Sequence, residues 1–273
     1  PSSASWNRSG GTSGSRPRKP WRSSAPRASR LTRTKPPARR RLSPADRRAE
    51  LLELGAEVFG QRPYDEVRID EIAERAALGV LGNGVRVLSE CAGWVGSGDV
   101  EVVLDPIDGT NNLVRGIPYS GPSLFAVDRG GRMTAVVLNA FTGRTFWARS
   151  GEGAYRDGER LLSIPPPAGD VIVGGAHDVE GGSWPRLLGA TAHTLCAVAE
   201  GRLDGYRTPE DSPDRSWDLL AGALIAAEAG FDVRVVGGGD VFAIDRTANS
   251  WIIVEWAPPR GQDGDDASSR SRT

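Results

Sequence analysis

Between residues 69 and 80, Ile72, Ala73, Ala76, Ala77 and Val80 recur at steps of three and four, a spacing that predicts a helix with one apolar face. Upstream, Ser43 can N-cap a helix running to about Leu54, with Pro44 at its first position and Asp46 in its first turn. The pattern then changes. Residues 85–88, 100–104, 123–127, 134–138 and 144–148 are short β-branched or apolar runs, most of them bounded by Gly, Asp or Asn, and they predict strands. Residues 190–199 and 217–229 return to helix, the second closing at Gly230 as a C-cap, and strands are expected at 233–236 and 251–254. This mixed order, with no internal repeat, predicts α/β or α+β layers.

Charge divides the chain unevenly. Its 34 basic and 35 acidic side chains nearly cancel, yet residues 1–42 hold twelve Lys or Arg and no carboxylate, so the remainder carries a net charge of -13. Those first residues are Ser, Pro, Gly and Arg with few aliphatic side chains, a composition that cannot bury enough apolar surface to offset the entropy of ordering. Residues 258–273 have the same character. The expected organisation is a disordered basic leader (1–42), one domain (43–257) and a disordered tail (258–273). Three readings of the leader compete: an organelle transit peptide, a nucleic-acid-binding arm, or an artefact of the gene start. The last is preferred, because the chain opens on Pro1 rather than Met and a basic arm on an acidic body suits neither alternative.

The composition, 38 % hydrophobic and 25 % charged, is that of an ordinary soluble protein. The longest apolar run, residues 219–227, stops at Glu228, far short of the ~20 residues that a membrane helix needs. Cys91 and Cys196 lack CxxC spacing, and with only His177 and His193 beside them they make neither a zinc site nor a disulfide framework. Both histidines are assigned to structure rather than catalysis. The two lysines, Lys19 and Lys35, lie in the leader, so Walker-type loops, Schiff-base chemistry and kinase-like lysine pairs are excluded from the body. Cysteine usage and the lack of a hydrophobic signal segment favour the cytosol.

The chemistry concentrates in residues 102–118, VVLDPIDGTNNLVRGIP. Asp105 ends an apolar strand, Pro106 stiffens the turn, and Asp108 precedes Gly109 and Thr110, which can open a helix. Carboxylates at a strand's carboxyl end converge on a crevice, and hard cations such as Mg²⁺ take oxygen ligands of this kind. N–H groups at the Gly109–Thr110 helix start favour a phosphate beside them. Spacing alone proves little, since D-x-x-D recurs at Asp211/Asp214 and Asp263/Asp266.

The stretch DPIDGTNNLVRGIP is similar to the DPxDGTxNFxxGxP signature of the inositol monophosphatase family of Mg²⁺-dependent, lithium-sensitive phosphatases, with Leu113 in place of Phe. WDLLAGALIAAEAGF, residues 217–231, resembles the family's WDxAAGxxLxxEAGG. Ser89-Glu90-Cys91 resembles its GEE-type element, keeping one glutamate and losing the next. VRIDEIAERAA, residues 67–77, looks like the helix start of archaeal-type bifunctional inositol monophosphatase/fructose-1,6-bisphosphatases, and LGATAHTLCAVAEGRLDGY is a weaker match to a further segment. The resemblance covers roughly residues 60–255, with shorter spans at 162–186 and after Phe231.

It implies a layered αβαβα sandwich, a sugar-phosphatase fold of the α+β kind, and a homodimer. Glu90, Asp105 and the Ile107 carbonyl would hold one Mg²⁺, and Asp105, Asp108 and Asp218 a second. Asp70 would support a weaker third through water, and Thr110 would orient the attacking water. Gly109 and Thr110 would meet the phosphate, while Asp211 or Asp214 is a candidate for contact with substrate hydroxyls. Each acid also has a plainer reading: turn formation for Asp105 and Asp108, a helix-dipole complement for Asp218 and Asp70, and an ordinary exposed acid for Glu90.

The expected reaction is hydrolysis of a small sugar or polyol phosphate, inositol 1-phosphate first and fructose 1,6-bisphosphate next. Alternatives are a 3'-phosphoadenosine 5'-phosphate phosphatase and, from a different class, a catalytically weak member whose leader binds RNA. No membrane partner is expected.

Overall fold

The computed structural model describes residue 53, residues 68–166, 171–175, 183–211, 213–243 and 245–256. The leader, the tail and the helix expected from Ser43 lie outside these residues, except for Glu53, which is helical. His177, Asp263 and Asp266 lie outside them as well.

Helix α1 (Ile69–Leu81) carries Asp70 and Glu71 in its first turn, where carboxylates complement the helix dipole, and ends at Gly82, whose φ is 65°. It packs on an eight-stranded sheet made of β1 (Gly84–Ser89), β2 (Gly93–Gly96), β3 (Gly98–Asp108), β4 (Gly121–Asp128), β5 (Met133–Leu138), β6 (Thr145–Arg149), β7 (Gly153–Arg156) and β8 (Glu159–Leu161). The strand order is β2-β1-β3-β4-β5-β6-β7-β8, with β1 and β3 parallel and every other pair antiparallel. Short helix α2 (Thr110–Val114) follows β3.

A second sheet runs β10-β9-β11-β15-β13, from β9 (Val171–Gly175), β10 (Ser183–Arg186), β11 (Gly205–Arg207), β13 (Phe231–Val235) and β15 (Ile252–Trp256). Pro185, which has no N–H to give a ladder, lies on the edge strand β10. The two-residue strands β12 (Asp214–Arg215) and β14 (Asn249–Ser250) pair with each other.

Between the two sheets lie α3 (Thr191–Ala199) and α4 (Ser216–Ala229). Helix α4 is apolar almost all round, with Leu219, Leu220, Leu224 and Ile225 fully buried, as a helix enclosed by sheets must be. The large core joins Leu88, Val103, Phe125 and Phe146 of the first sheet to both helices and to Tyr206, Ile252 and Val254 of the second. On the opposite face of the first sheet, Val87, Val102 and Leu104 pack against Ala77, Leu78 and Leu81 of α1.

The layers α1, sheet, α3/α4, sheet give the expected α+β sandwich. Among the described residues no helix covers the outer face of the second sheet, so the fifth layer of the αβαβα arrangement is not seen there. All the helices and strands expected from residue 69 onward form, their ends displaced by at most four residues.

The α3–α4 crossing depends on Gly222: a Cβ there would stand 2.6 Å from Leu195 Cβ and 2.9 Å from the Ala192 carbonyl oxygen. Only a residue without a side chain lets the helices approach this closely. Their approach brings the start of α3 to the end of β3.

Candidate active site

The site forms where β3 runs out. In an unbroken strand, positions three apart face opposite sides of the sheet. Here the pairing of Asp105 with Ser123 and of Asp108 with Gly121 sets three steps on β3 against two on β4. The extra residue is a bulge, which returns both aspartates to one face. One carboxylate oxygen each from Asp105, Asp108 and Asp218 then lies within 4.8 Å of the others.

Each carboxylate is held by its own element. Asp105 Oδ1 accepts the Ile107 N–H at 2.8 Å. Asp218, the third residue of α4, accepts the Arg215 N–H at 3.1 Å. Asp108 is gripped from α3: the Thr191 N–H donates to Oδ1 at 3.0 Å and the His193 N–H to Oδ2 at 3.1 Å, with His193 Nδ1 2.8 Å from the same Oδ2. Gly109 makes the turn possible, at φ 80°, with Ala190 Cβ 2.9 Å and the Tyr119 carbonyl oxygen 3.0 Å from where a Cβ would stand.

The electrostatics are those of crowded like charges. Burial raises Asp105 well above the usual carboxylate range, and the charges of Asp108, Glu90 and Asp218 add to it. Burial and then the charge of Asp108 push Asp218 up to about 7. Glu90, exposed at the rim, is raised by partial burial and by Asp70, while hydrogen bonding with Asp105 and the charge of Arg68 oppose the rise. The donor set is oxygen throughout, and the raised values of Asp105 and Asp218 mark a crowding of negative charge that a hard divalent cation relieves.

Beside the three aspartates, Thr110 Oγ1 lies 2.9 Å from Asp70 Oδ1 and 3.0 Å from the Ile107 carbonyl oxygen, so its single proton chooses between two acceptors. Asp70 is buried, and its second oxygen accepts from Arg68 at 3.2 Å. Cys91, where the acidic element loses its second glutamate, has its thiol pushed up to about 12 by burial and by Glu74.

The two remaining candidates separate. Asp211 is exposed in the turn before β12. Asp214 is buried and takes hydroxyl donors on both oxygens: Thr191 on Oδ1 at 2.9 Å, Tyr206 and Thr208 on Oδ2 at 2.8 and 2.6 Å. Sequence reasoning did not bring Thr191 or His193 to the site. The weak family match marked their helix, and nothing local distinguishes a lone histidine on a buried helix from packing.

A layered α+β fold with an oxygen-only acid cluster at a strand end defines the class, a protein with a site able to hold a metal ion. The model of the inositol monophosphatase family matches residues 47–261. A fructose-1,6-bisphosphatase/inositol-1-monophosphatase of Archaeoglobus fulgidus is 35 % identical over 178 residues, covering 62 % of this chain and 69 % of that protein. A Nus factor SuhB of Pasteurella multocida is 30 % identical over 194 residues, covering 63 % and 72 %. Among solved structures, a Pyrococcus horikoshii protein with similarities to inositol-1 monophosphatase superposes with a TM-score of 0.61 at 25 % identity, over 76 % of this chain and 92 % of that one. The suhB extragenic suppressor of Bartonella henselae superposes with a TM-score of 0.59 at 26 % identity, over 77 % and 89 %. The chain belongs to the inositol monophosphatase family and is a phosphoric monoester hydrolase. No helix of the described residues is long and apolar enough to cross a membrane.

Proposed function

We propose that this protein hydrolyses a small sugar or polyol phosphate in an Mg²⁺-dependent reaction, with inositol 1-phosphate the leading substrate and fructose 1,6-bisphosphate the next. The observation that carries this reading is the convergence of Asp105, Asp108 and Asp218, drawn from β3 and α4 and separated by up to 113 positions, within 4.8 Å. Relatives named for both activities support the substrate class.

Glu90, Asp105 and the Ile107 carbonyl would hold one Mg²⁺, and Asp105, Asp108 and Asp218 a second, with Asp70 behind a weaker third. Such ions, when bound, supply a nucleophilic water at neutral pH and charge neutralisation for an in-line displacement at phosphorus. The chain's own residues do the positioning. The Thr110 hydroxyl donates to Asp70, which leaves its lone pairs free to accept from the attacking water. The N–H groups of Gly109 and Thr110 precede the first hydrogen bonds of α2, in which Asn112 and Leu113 donate to the Gly109 carbonyl, and so stay available to phosphate oxygens. Asp211, exposed ahead of α4, is assigned to substrate hydroxyls, and Asp214, with both oxygens engaged, to support of the α3 start. A homodimer and a cytosolic setting complete the reading. The RNA-binding alternative rests on leader residues outside those described.

The test is phosphate release from inositol 1-phosphate, fructose 1,6-bisphosphate and 3'-phosphoadenosine 5'-phosphate, each with Mg²⁺ and with chelator. Release that requires Mg²⁺ and is fastest with inositol 1-phosphate is expected. Preference for the adenosine phosphate would reassign the substrate, and no cation-dependent release from any of the three would end the proposal.

A further inference from the structure

His193 presents a chemical asymmetry that packing does not explain. Its ring is buried, with Nδ1 2.8 Å from Asp108 Oδ2 and, among the described residues, no hydrogen-bond partner for Nε2. Asp108 Oδ2 already accepts the His193 backbone N–H, so the ring meets it as a second donor through Nδ1–H and Nε2 is left as an acceptor; the Tyr119 ring stands beside the imidazole, the two ring centroids 5.6 Å apart. A buried acceptor without a donor costs about 1–3 kcal/mol. A leucine here would fill the same space between α3 and the first sheet without that cost, so what the histidine contributes is its one hydrogen bond.

That bond completes the hold on Asp108. A carboxylate offers about four acceptor positions. The Thr191 N–H occupies one on Oδ1, and the His193 N–H and ring Nδ1–H occupy two on Oδ2. The remaining position is on Oδ1. The two backbone donors at the start of α3 hold one oxygen each, and the ring adds a second, side-chain grip on Oδ2. Groups that orient metal-ligating side chains in this way tune the affinity for an ion that they do not themselves touch.

We infer that His193 is a positioning residue that acts through Asp108, presetting its remaining acceptor position, on Oδ1, for a divalent cation held with Asp105 and Asp218. The inference rests on the proposed cation site and goes beyond it by naming a residue outside the ligand set.

The experiment measures uptake of Mn²⁺ alone by the chelator-stripped full chain, through loss of the free-ion electron paramagnetic resonance signal, in the parent and in His193→Leu, His193→Gln and His193→Asn. The Asn side-chain nitrogen stands as many bonds from the backbone as Nδ1 and restores the donor, whereas Gln carries its nitrogen one atom further and Leu has none. Leu and Gln variants are expected to bind about 10–100-fold more weakly, and the Asn variant within about threefold of the parent. Thermal melts check that each variant is folded, and if the Leu variant is not, the Gln–Asn contrast decides. Binding by the Leu or Gln variants as tight as the parent's overturns the inference, as does an Asn variant as weak as Gln, since both make the ring a packing element. A parent that takes up no Mn²⁺ removes the cation site itself and the positioning role with it, an outcome distinct from parent and variants binding alike.

Discussion

Asp105/Asp108 and Asp211/Asp214 have the same spacing, and the fold treats them in opposite ways. In the first pair a bulge turns both side chains to one face, where a third carboxylate from α4 meets them and burial and like charges oppose the ionisation of Asp105. In the second, one member is exposed and the other is buried in a pocket of hydroxyls. Burial raises Asp214 too, but hydrogen bonds from Thr208, Tyr206 and Thr191 work against the rise. A buried carboxylate supplied with donors is structurally complete, while one facing other carboxylates is poised for a cation. Thr191 links the two pairs, its hydroxyl on Asp214 and its N–H on Asp108.

The contrast can be broken most sharply at Asp105. Asp105→Asn is expected to lower phosphate release by at least about a thousandfold, equivalent to about 4 kcal/mol in the barrier, with the melting temperature unchanged or higher because a buried, repelled charge is gone. Turnover equal to the parent's would place the chemistry elsewhere.

Asp214→Ala should act the other way. Tyr206 and Thr208 would lose their buried acceptor, costing about 2–3 kcal/mol, which lowers the melting temperature by roughly 5–10 °C at about 2–4 °C per kcal/mol. Mn²⁺ uptake by the folded protein should persist. A variant that melts like the parent but has lost turnover would make the second pair catalytic and erase the distinction.

The cluster also sets a pH dependence in cation-free protein. Asp218 sits at about 7 in the fold against an ordinary 3.8. Over that window the folded state holds a proton that the unfolded state has released, so the contribution is full below 3.8 and is lost as pH rises through about 7. Melting temperatures in chelator should therefore fall across this range, less so in Asp218→Asn, and Mg²⁺ should reverse the fall. A parent and variant with the same pH profile would show that Asp218 is not under this strain.

The smallest effect is expected at Asp211. Asp211→Ala should raise KM a few-fold with kcat retained and stability within about 0.5 kcal/mol. An unchanged KM would remove it from the substrate contacts.

Much of this was legible in the residues. Apolar periodicity located α1, α3, α4 and the long strands, because those segments bury a continuous face. The strands that went unread are short, rich in glycine or interrupted: β2 is Gly-Trp-Val-Gly, β7 begins at Gly153, β8 and β11 have three residues each, β9 ends in two glycines, β10 contains Pro185, and β12 and β14 have two residues each. Their pairing depends on the neighbours that they meet, which no local window records. The motif located Asp105, Asp108, Gly109 and Thr110 together, and the helix pattern placed Asp218 in a first turn. The hold on Asp108 was not legible, because its donors lie 83 and 85 positions away.

The sequence by itself determined which residues can do the chemistry: carboxylates at a strand end and a helix start, a glycine where φ must be positive, and a lysine-free body. Those choices act through local sterics and hydrogen bonding, over a few residues. Tertiary structure alone decided that the carboxylates converge, that Asp214 is satisfied while Asp105 is crowded, and that a buried imidazole closes on Asp108. Those outcomes follow from the packing of α3 on α4 across Gly222 and of both helices on the first sheet, contacts between segments that only the assembled core brings within reach.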